Sequence, residues 1–255
     1  MSDRFAFARH APAPDLALWI GWYWVVRWDL RGEPPRIQET IPHPSVNVVF
    51  EQGKTRVFGV ATRKFRRELR DSGLVFGIKF RPGAFQPFFG SSVAELTDSE
   101  RTLLEVFGLD DDAVESAMLS CGDDPSMIAV ADELIRSNRP RDDVNVATVI
   151  RMVEYVIDHR DVTRVEQIAS AFGYDTRALQ RTFNRYVGVS PKWVIRRYRL
   201  QEAAEQLSGG NAADWTRLAL DLGYFDQPHF INDFRSLIGL SPAEYARRVA
   251  VVSIQ

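Results

Sequence analysis

Between residues 19 and 80 the apolar positions tend to fall on every second residue, the period of a strand with one buried face. Residues 19–26, 37–40, 46–50, 55–58, 65–70 and 74–80 are rich in Val, Ile, Phe and Trp and are predicted as strands. Arg31-Gly32-Glu33-Pro34-Pro35, Gln52-Gly53-Lys54 and Asp71-Ser72-Gly73 separate them, two of these standing where hairpin turns belong. Arg81-Pro82-Gly83 closes the strand region. Residues 84–90 read as a short helix, and Thr97-Asp98-Ser99-Glu100 as the capped start of another. From Asp110 the chain is acidic and helical through residues 128–135. It then reaches a polar stretch broken by proline, 137–142, the expected linker.

Beyond Asn145 the period changes. Val146, Val149, Ile150, Val153, Val156 and Ile157 recur at steps of three and four, one apolar face of a helix. Thr163-Arg164-Val165-Glu166 has the form of a capping box opening a short helix that ends at Gly173.

An internal repeat follows. Ile168-Ala169-Ser170-Ala171-Phe172-Gly173-Tyr174 recurs 50 residues later as Leu218-Ala219-Leu220-Asp221-Leu222-Gly223-Tyr224. Gly188-Val189-Ser190-Pro191 recurs after 51 residues as Gly239-Leu240-Ser241-Pro242. Between these blocks lie Leu179 and Phe183 in one copy and Phe230 and Phe234 in the other, each pair on one helix side. Each copy predicts helix, glycine turn and second helix, the glycine permitting the left-handed backbone of the corner. That is a helix-turn-helix, whose second helix can enter the DNA major groove. Ser190-Pro191 opens a connecting helix with an N-cap and a first-turn proline. It runs to about Leu207, where Ser208-Gly209-Gly210 stops it. Its length of roughly 26 Å at about 1.5 Å per residue suits two readers on one DNA face, about one turn apart.

Charge sharpens this picture. The 255 residues carry 32 Lys+Arg against 34 Asp+Glu. The balance conceals a net +5 over residues 151–200 and a net −3 over 201–255. A basic segment of that size suits a polyanion. No apolar run reaches the ~18 residues of a membrane span. The first residues, Met1-Ser2-Asp3-Arg4, lack an export signal core. The single cysteine, Cys121, can form neither an internal disulfide nor a multi-cysteine zinc site. A cytoplasmic protein without metal or cofactor is expected.

Residues 145–255 resemble the C-terminal domain of the AraC/XylS transcriptional regulators. The likeness rests on residues 168–174, Arg181-Thr182-Phe183, 188–191, 218–223, Gly223-Tyr224-Phe225-Asp226-Gln227-Pro228-His229-Phe230, Asp233-Phe234-Arg235 and 239–242. It implies a sequence-specific, DNA-binding transcription factor with two helix-turn-helix units. In the first unit Leu179, Phe183 and Tyr186 face inward, leaving Arg177, Gln180, Arg181 and Asn184 outside. Arg pairs with guanine and Gln with adenine, at about 1–3 kcal/mol of discrimination each. The family's base-contacting positions fall on Arg177, Gln180 and Arg181. In the second unit Pro228, Ile231, Asn232 and Arg235 are exposed by the same construction, with Asp226 as N-cap, Gln227 at the first turn and His229 as a packing or phosphate contact; Ile231 is placed either to meet a thymine methyl or to be buried. This face has fewer donors, and a basic residue is common in the family where Asn232 stands. The first unit is therefore expected to discriminate sequence and the second to position the domain. Lys192, Arg196, Arg197 and Arg199, on or beside the connecting helix, are expected to supply phosphate contacts and solvated charge.

The first half resembles an uncharacterised domain found ahead of such tails. Pro44-Ser45-Val46-Asn47-Val48-Val49-Phe50, Gly77-Ile78-Lys79-Phe80-Arg81-Pro82-Gly83 and Glu95-Leu96-Thr97-Asp98 carry the likeness. In AraC-like regulators that position commonly holds a sensing or dimerisation domain. Trp19, Trp22, Trp24 and Trp28 crowd one stretch, Trp22 and Trp24 on one strand face and Trp19 on the other. Trp22, Trp24, His43, Asn47 and Arg81 are the candidate effector residues, with core packing of the tryptophans and bracing of the turn by Arg81 as the plainer alternatives. The acidic 110–135 stretch is expected either to couple the halves, to pair two copies, or simply to pack.

No Ser/His/Asp order, glycine-rich phosphate loop or HExxH marks an enzyme. Some proteins with AraC-like tails are alkyl acceptors with a reactive cysteine, but the acidic neighbours of Cys121 disfavour a thiolate. The expected architecture is multidomain. Residues 1–140 form an α+β domain with a mostly antiparallel sheet (sheet region about 15–83, helices 84–137). Residues 141–255 form an all-α domain of two helix-turn-helix units and a linking helix. Double-stranded DNA is the expected partner; RNA polymerase, a small-molecule effector and a second copy of the chain are further candidates. The alternative is a non-enzymatic interaction protein whose helical tail docks onto protein.

Overall fold

In the computed structural model, which describes residues 4–140, 142–208 and 215–252, the chain begins with strands. These are β1 (Phe5–His10), β2 (Ile20–Asp29), β3 (Arg36–Thr40), β4 (Asn47–Phe50), β5 (Arg56–Phe58), β6 (Phe65–Leu69) and β7 (Ser72–Phe80). The short helix α1 (Gln86–Phe89) precedes β8 (Glu100–Arg101). Helices then take over: α2 (Leu103–Phe107), α3 (Asp111–Leu119), α4 (Asp124–Ser137), α5 (Val144–Asp158), α6 (Val165–Phe172), α7 (Thr176–Tyr186), α8 (Pro191–Ser208), α9 (Trp215–Asp221), α10 (Gln227–Ile238) and α11 (Pro242–Val252). The strands form an antiparallel sheet of order β1-β2-β7-β4-β5-β8 and a separate ribbon of β3 with β6.

The predicted strands appear with ends shifted by up to three residues, and β1 and β8 are additional. Residues 97–100 do not start a helix. Asp98 takes a left-handed backbone (φ 54°), and its carboxylate accepts from the Thr62 amide (2.7 Å) and hydroxyl (2.5 Å). The helix begins after Thr102, in a capping box with Glu105. The box at residues 163–166 is likewise displaced. The Gln167 side-chain oxygen, not Glu166, accepts from the Thr163 and Arg164 amides at 2.9 and 2.8 Å. Ile157 is exposed rather than part of the α5 stripe, and Met152 is buried in its place. The Gly209-Gly210 stop after α8 lies outside the described residues.

The two faces of the sheet do different things. Tyr23 and Val25, Val48 and Phe50, and Phe76, Ile78 and Phe80 alternate onto one face and are buried under helices. A register shift between Ile20 and Trp22 moves the tryptophans to the other face. There Trp24 lies opposite Gly77 and Trp28 opposite Gly73. A Cβ at Gly77 would sit 2.1 Å from Trp24 Cε2, and one at Gly73 would sit 2.2 Å from Trp28 Cζ2. These glycines are seats for indoles. Trp28, Leu30, Leu69 and Val75 form a small core on this face, while Trp19 joins the main core on the other side.

Helix α4 is tied to the sheet through its acids. Asp132 accepts from the Tyr23 hydroxyl at 2.5 Å, and Asp124 pairs with His10 (2.7 Å) and Arg27 (2.5 Å). The acidic segment thus packs on the sheet. The main core then continues across residues 137–142 into Val146, Val149, Val153 and Val156 of α5 and Leu179 and Phe183 of α7. It ends on the first half of α8, at Val194 and Ile195. A second core gathers Leu200, Ala203, Ala204 and Leu207 of α8 with Ala219, Phe230, Phe234 and Leu237.

Replacing Gly77 by Ala is expected to cost about 1–3 kcal/mol through overfilling of the Trp24 seat. Thermal unfolding followed by tryptophan fluorescence measures this. Unchanged stability would mean that the indole moves aside freely.

Candidate nucleic-acid interface

Each corner of the repeat forms as a physical unit. Helix α6 ends at Gly173 (φ 70°), and Asp175 then caps α7 by accepting from the Ala178 amide at 2.7 Å. In the second unit Gly223 (φ 80°) follows α9, and Asp226 caps α10 by accepting from the His229 amide at 2.8 Å. Tyr174 and Tyr224, the aromatics after the glycines, are half-buried against the two cores. The second corner touches the first unit: a Cβ on Gly223 would lie 2.6 Å from the Cβ of Thr163, just ahead of α6.

On α7, Leu179, Phe183 and Tyr186 are buried, while Arg177, Gln180, Arg181 and Asn184 are exposed. Arg177 and Arg181 form no ion pair among the described residues, and neither does the exposed Lys192 at the start of α8. The second unit differs. Phe230 and Phe234 are buried, and Ile231 is half-buried against the second core. Pro228, His229, Asn232 and Arg235 are exposed, and Gln227 is half-buried. Arg235 lies 3.9 Å from Glu244, and His229 lies 3.7 Å from Asp233. Asp233 also pairs with Arg196 at 3.3 Å.

Two arginines of the connecting helix are not available to phosphate. Arg197 and Arg199 are each only 2 % exposed. Arg197 donates to the Pro42 carbonyl, to Gln201 and to His43 Nε2 (3.0 Å); Arg199 donates to the Val156 carbonyl and to Glu202 (3.0 Å). Helix α8 is covered on these sides by residues 42–43 and by α5, so these two arginines serve packing rather than the surface. The bond to Arg197 requires His43 to be neutral and protonated on Nδ1. Burial first, then the charges of Lys79, Arg197 and Arg9, push the His43 pKa down to about 2.

The candidate effector residues fall into two groups. Trp22 and Asn47 both lie opposite Lys79 in the sheet register, and Trp24 Nε1 donates to Asn47 Oδ1 at 3.3 Å. His43 reaches Arg197. Arg81 instead pairs with Glu154 of α5 and donates to the Ala17 carbonyl at 3.2 Å. Sequence reasoning passed over Lys79, although a lysine inside the strand Val75-Phe76-Gly77-Ile78-Lys79-Phe80 was a visible signal. It is 8 % exposed, and its ammonium lies 4.2 Å from the Trp22 ring. Burial, reinforced by Arg197 and Arg9, lowers its pKa from 10.5 to about 7.

With this geometry in place, comparison with known proteins gives the class of each half. Residues 168–248 match a family model described as a helix-turn-helix domain, and residues 8–102 match a domain of unknown function (DUF6597). The C-terminal part is thus a helix-turn-helix domain of the AraC type, preceded by that uncharacterised domain. The chain is similar to XylDLEGF operon transcriptional activator 3 of Pseudomonas putida, 31% identical over 101 residues, which cover 38% of this chain and 30% of the relative. It is also similar to the HTH-type transcriptional activator AarP of Providencia stuartii, 35% identical over 81 residues covering 32% of this chain and 59% of the relative. A solved probable AraC family transcriptional regulator from Rhodopseudomonas palustris is 30% identical, with 40% of this chain and 97% of that chain covered and a TM-score of 0.37. The matched segments thus span 30% of the first activator and 59% of the second. No helix among the described residues is long and apolar enough to cross a membrane.

Between pH 7 and 10.5 the unfolded chain keeps a proton on Lys79 that the folded chain has lost, so this residue's contribution to stability rises with pH there. A Lys79→Met chain is expected to exceed the parent in stability most below pH 7, with the gap closing toward pH 10.5. Urea denaturation across that range checks the sign; parallel profiles would exclude it.

Proposed function

We propose that this chain is a sequence-specific DNA-binding transcriptional regulator. Residues 141–255 grip DNA, and residues 1–140 adjust that grip in response to a signal. The observation that carries this is the surface of α7. It presents Arg177, Gln180 and Arg181 outward, and the two guanidinium groups have no acidic partner among the described residues. It stands in one of two duplicated corners. Long donors held unpaired on a rigid helix are suited to base edges and phosphates.

The two units divide the work. Arg177, Gln180 and Arg181, with Asn184 beside them, read bases. Lys192 and Arg196 meet phosphate, Arg196 by exchanging Asp233 for the backbone. Gln227, Ile231, Asn232 and Arg235 seat α10 in the next groove, with Ile231 limited by its packing. The ion pairs around Asp233 and Glu244 support this asymmetry. The protein acts in the cytoplasm by binding, without catalysis or a cofactor. RNA polymerase and a second copy of the chain are its further partners.

Selection of bound sequences from random DNA, followed by titration, tests the reading. Arg181→Ala is expected to weaken the selected site by about 1–3 kcal/mol, roughly five- to 150-fold, and to relax one base position. Asn232→Ala is expected to cost less discrimination; a larger loss there rejects the asymmetry. Lys192→Ala is expected to weaken all sequences evenly and reduce the salt slope by about 1. Absence of salt-dependent DNA binding by the full chain rejects the function itself.

A further inference from the structure

Arg63-Lys64-Phe65-Arg66-Arg67-Glu68-Leu69-Arg70 places five bases and one acid in eight residues. The segment leads into and forms β6, one half of the two-stranded ribbon with β3. Three of the bases are neutralised within the fold. Lys64 pairs with Glu39 at 2.8 Å, Arg67 with Glu51, and Arg70 with Glu68. Arg63 and Arg66 are exposed, and their side chains form no hydrogen bond or ion pair among the described residues. Glu39, Glu51 and Glu68 are taken by the other three bases, so two guanidinium charges are left over.

The ribbon is moored to the carboxyl end of α10. Lys64 donates to the carbonyl of Ile238, the last residue of that helix, at 3.3 Å. Gly239 follows, and a Cβ there would stand 3.0 Å from Lys64 Cε. Ile41, just past the end of β3, packs on the second core. A helix of twelve residues is about 18 Å long, whereas the DNA major groove is about 12 Å wide. With the amino half of α10 in the groove, its carboxyl end stands at a phosphate ridge, and the ribbon stands beside it. This part of the chain is short of cations. Residues 201–255 carry a net −3, Asn232 is neutral, and Arg235 lies 3.9 Å from Glu244. Two unpaired guanidinium groups next to a cation-poor reading helix are complementary to the phosphates that helix cannot neutralise.

We infer that the β3–β6 ribbon of the first domain is itself a DNA contact, in which Arg63 and Arg66 bind phosphates flanking the site of the second helix-turn-helix unit. The inference rests on the DNA-binding function proposed above and extends it, because residues outside 141–255 then hold the DNA. Phosphate contacts fix position and carry no sequence information of their own. The ribbon therefore adds affinity and register, while α7 keeps the discrimination.

The test is titration of the full chain with its selected DNA site over a range of salt concentrations. Arg63→Gln and Arg66→Gln are each expected to lower the salt slope by about 1 and to weaken binding about fivefold at ~0.15 M salt, equally for selected and unrelated sequences. Ethylation of phosphates beside the second unit's half-site is expected to interfere with binding by the parent chain and not by the double variant. Arg36→Gln makes the same charge change at the far end of β3 and is expected to leave slope and affinity unchanged. Both tested side chains are exposed, so either single variant carries the test if the double variant fails to fold. An unchanged slope in the variants, a loss confined to one base position, or an equal loss in Arg36→Gln overturns the inference. A parent chain without salt-dependent DNA binding refutes the proposed function along with it; a parent that binds while folded variants bind equally well refutes the ribbon contact alone.

Discussion

Helix α5 has more apolar surface than a single neighbour can cover. Val146, Val149, Met152, Val153 and Val156 are all buried, and they meet both the sheet domain and the helices of the first helix-turn-helix unit. Water must be excluded from both sides at once. The contacts around α5 follow from that requirement. Gly83 leaves room for Val149, whose Cγ1 lies 2.5 Å from where a Cβ would stand. Arg81 crosses from the end of β7 to Glu154. Tyr186 closes the far end by donating to Asp143 at 2.7 Å. The packing unit at the amino end is therefore larger than the sheet domain alone: it includes α5, α6, α7 and the start of α8.

The connecting helix inherits this constraint. Its first half is buried in one core and its second half in another, so α8 serves as shared framework. A helix covered on several sides has no wide solvent face, and its arginines must find partners inside. Arg199 does so with a carboxylate and a backbone carbonyl. Arg197 does so with neutral groups and leaves its charge uncompensated. The desolvation of these guanidinium groups is offset by bonds that cross between elements distant in sequence.

Much of the helix-turn-helix geometry was legible in the sequence because it depends on local rules. Gly173 and Gly223 mark the corners, Asp175 and Asp226 cap the following helices, and the spacing of Leu179 with Phe183 fixes which side of α7 is dry. The tryptophan faces were legible for the same reason, since alternation along a strand assigns them. The displaced helix starts are local too: the capping contacts come from Thr102 and Gln167, not from residues 97–100 and Glu166. What local pattern could not show was coverage from afar. Arg197 and Arg199 look like solvated charge on any helical wheel, and only the approach of residues 42–43 and α5 buries them. Strand β1 was missed because its small alanines weaken the apolar signal; its pairing with β2 defines it.

Residues 92–97 hold the carboxyl end of α7 by two backbone oxygens. The Ser92 hydroxyl donates to the Asn184 carbonyl at 3.1 Å, and the Thr97 hydroxyl donates to the Gly188 carbonyl at 2.6 Å. Gly188 sits so close that a Cβ would come within 3.1 Å of both the Val93 carbonyl and the Thr97 hydroxyl. The first helix-turn-helix unit is thereby held against the sheet domain. The second unit, beyond the midpoint of α8, meets the sheet domain at Ile41, which packs on the second core, and at Lys64, whose amine donates to the Ile238 carbonyl at 3.3 Å. The two units thus hold to the same sheet domain by unequal means, hydroxyl-to-carbonyl bonds for the first and one lysine with one isoleucine for the second.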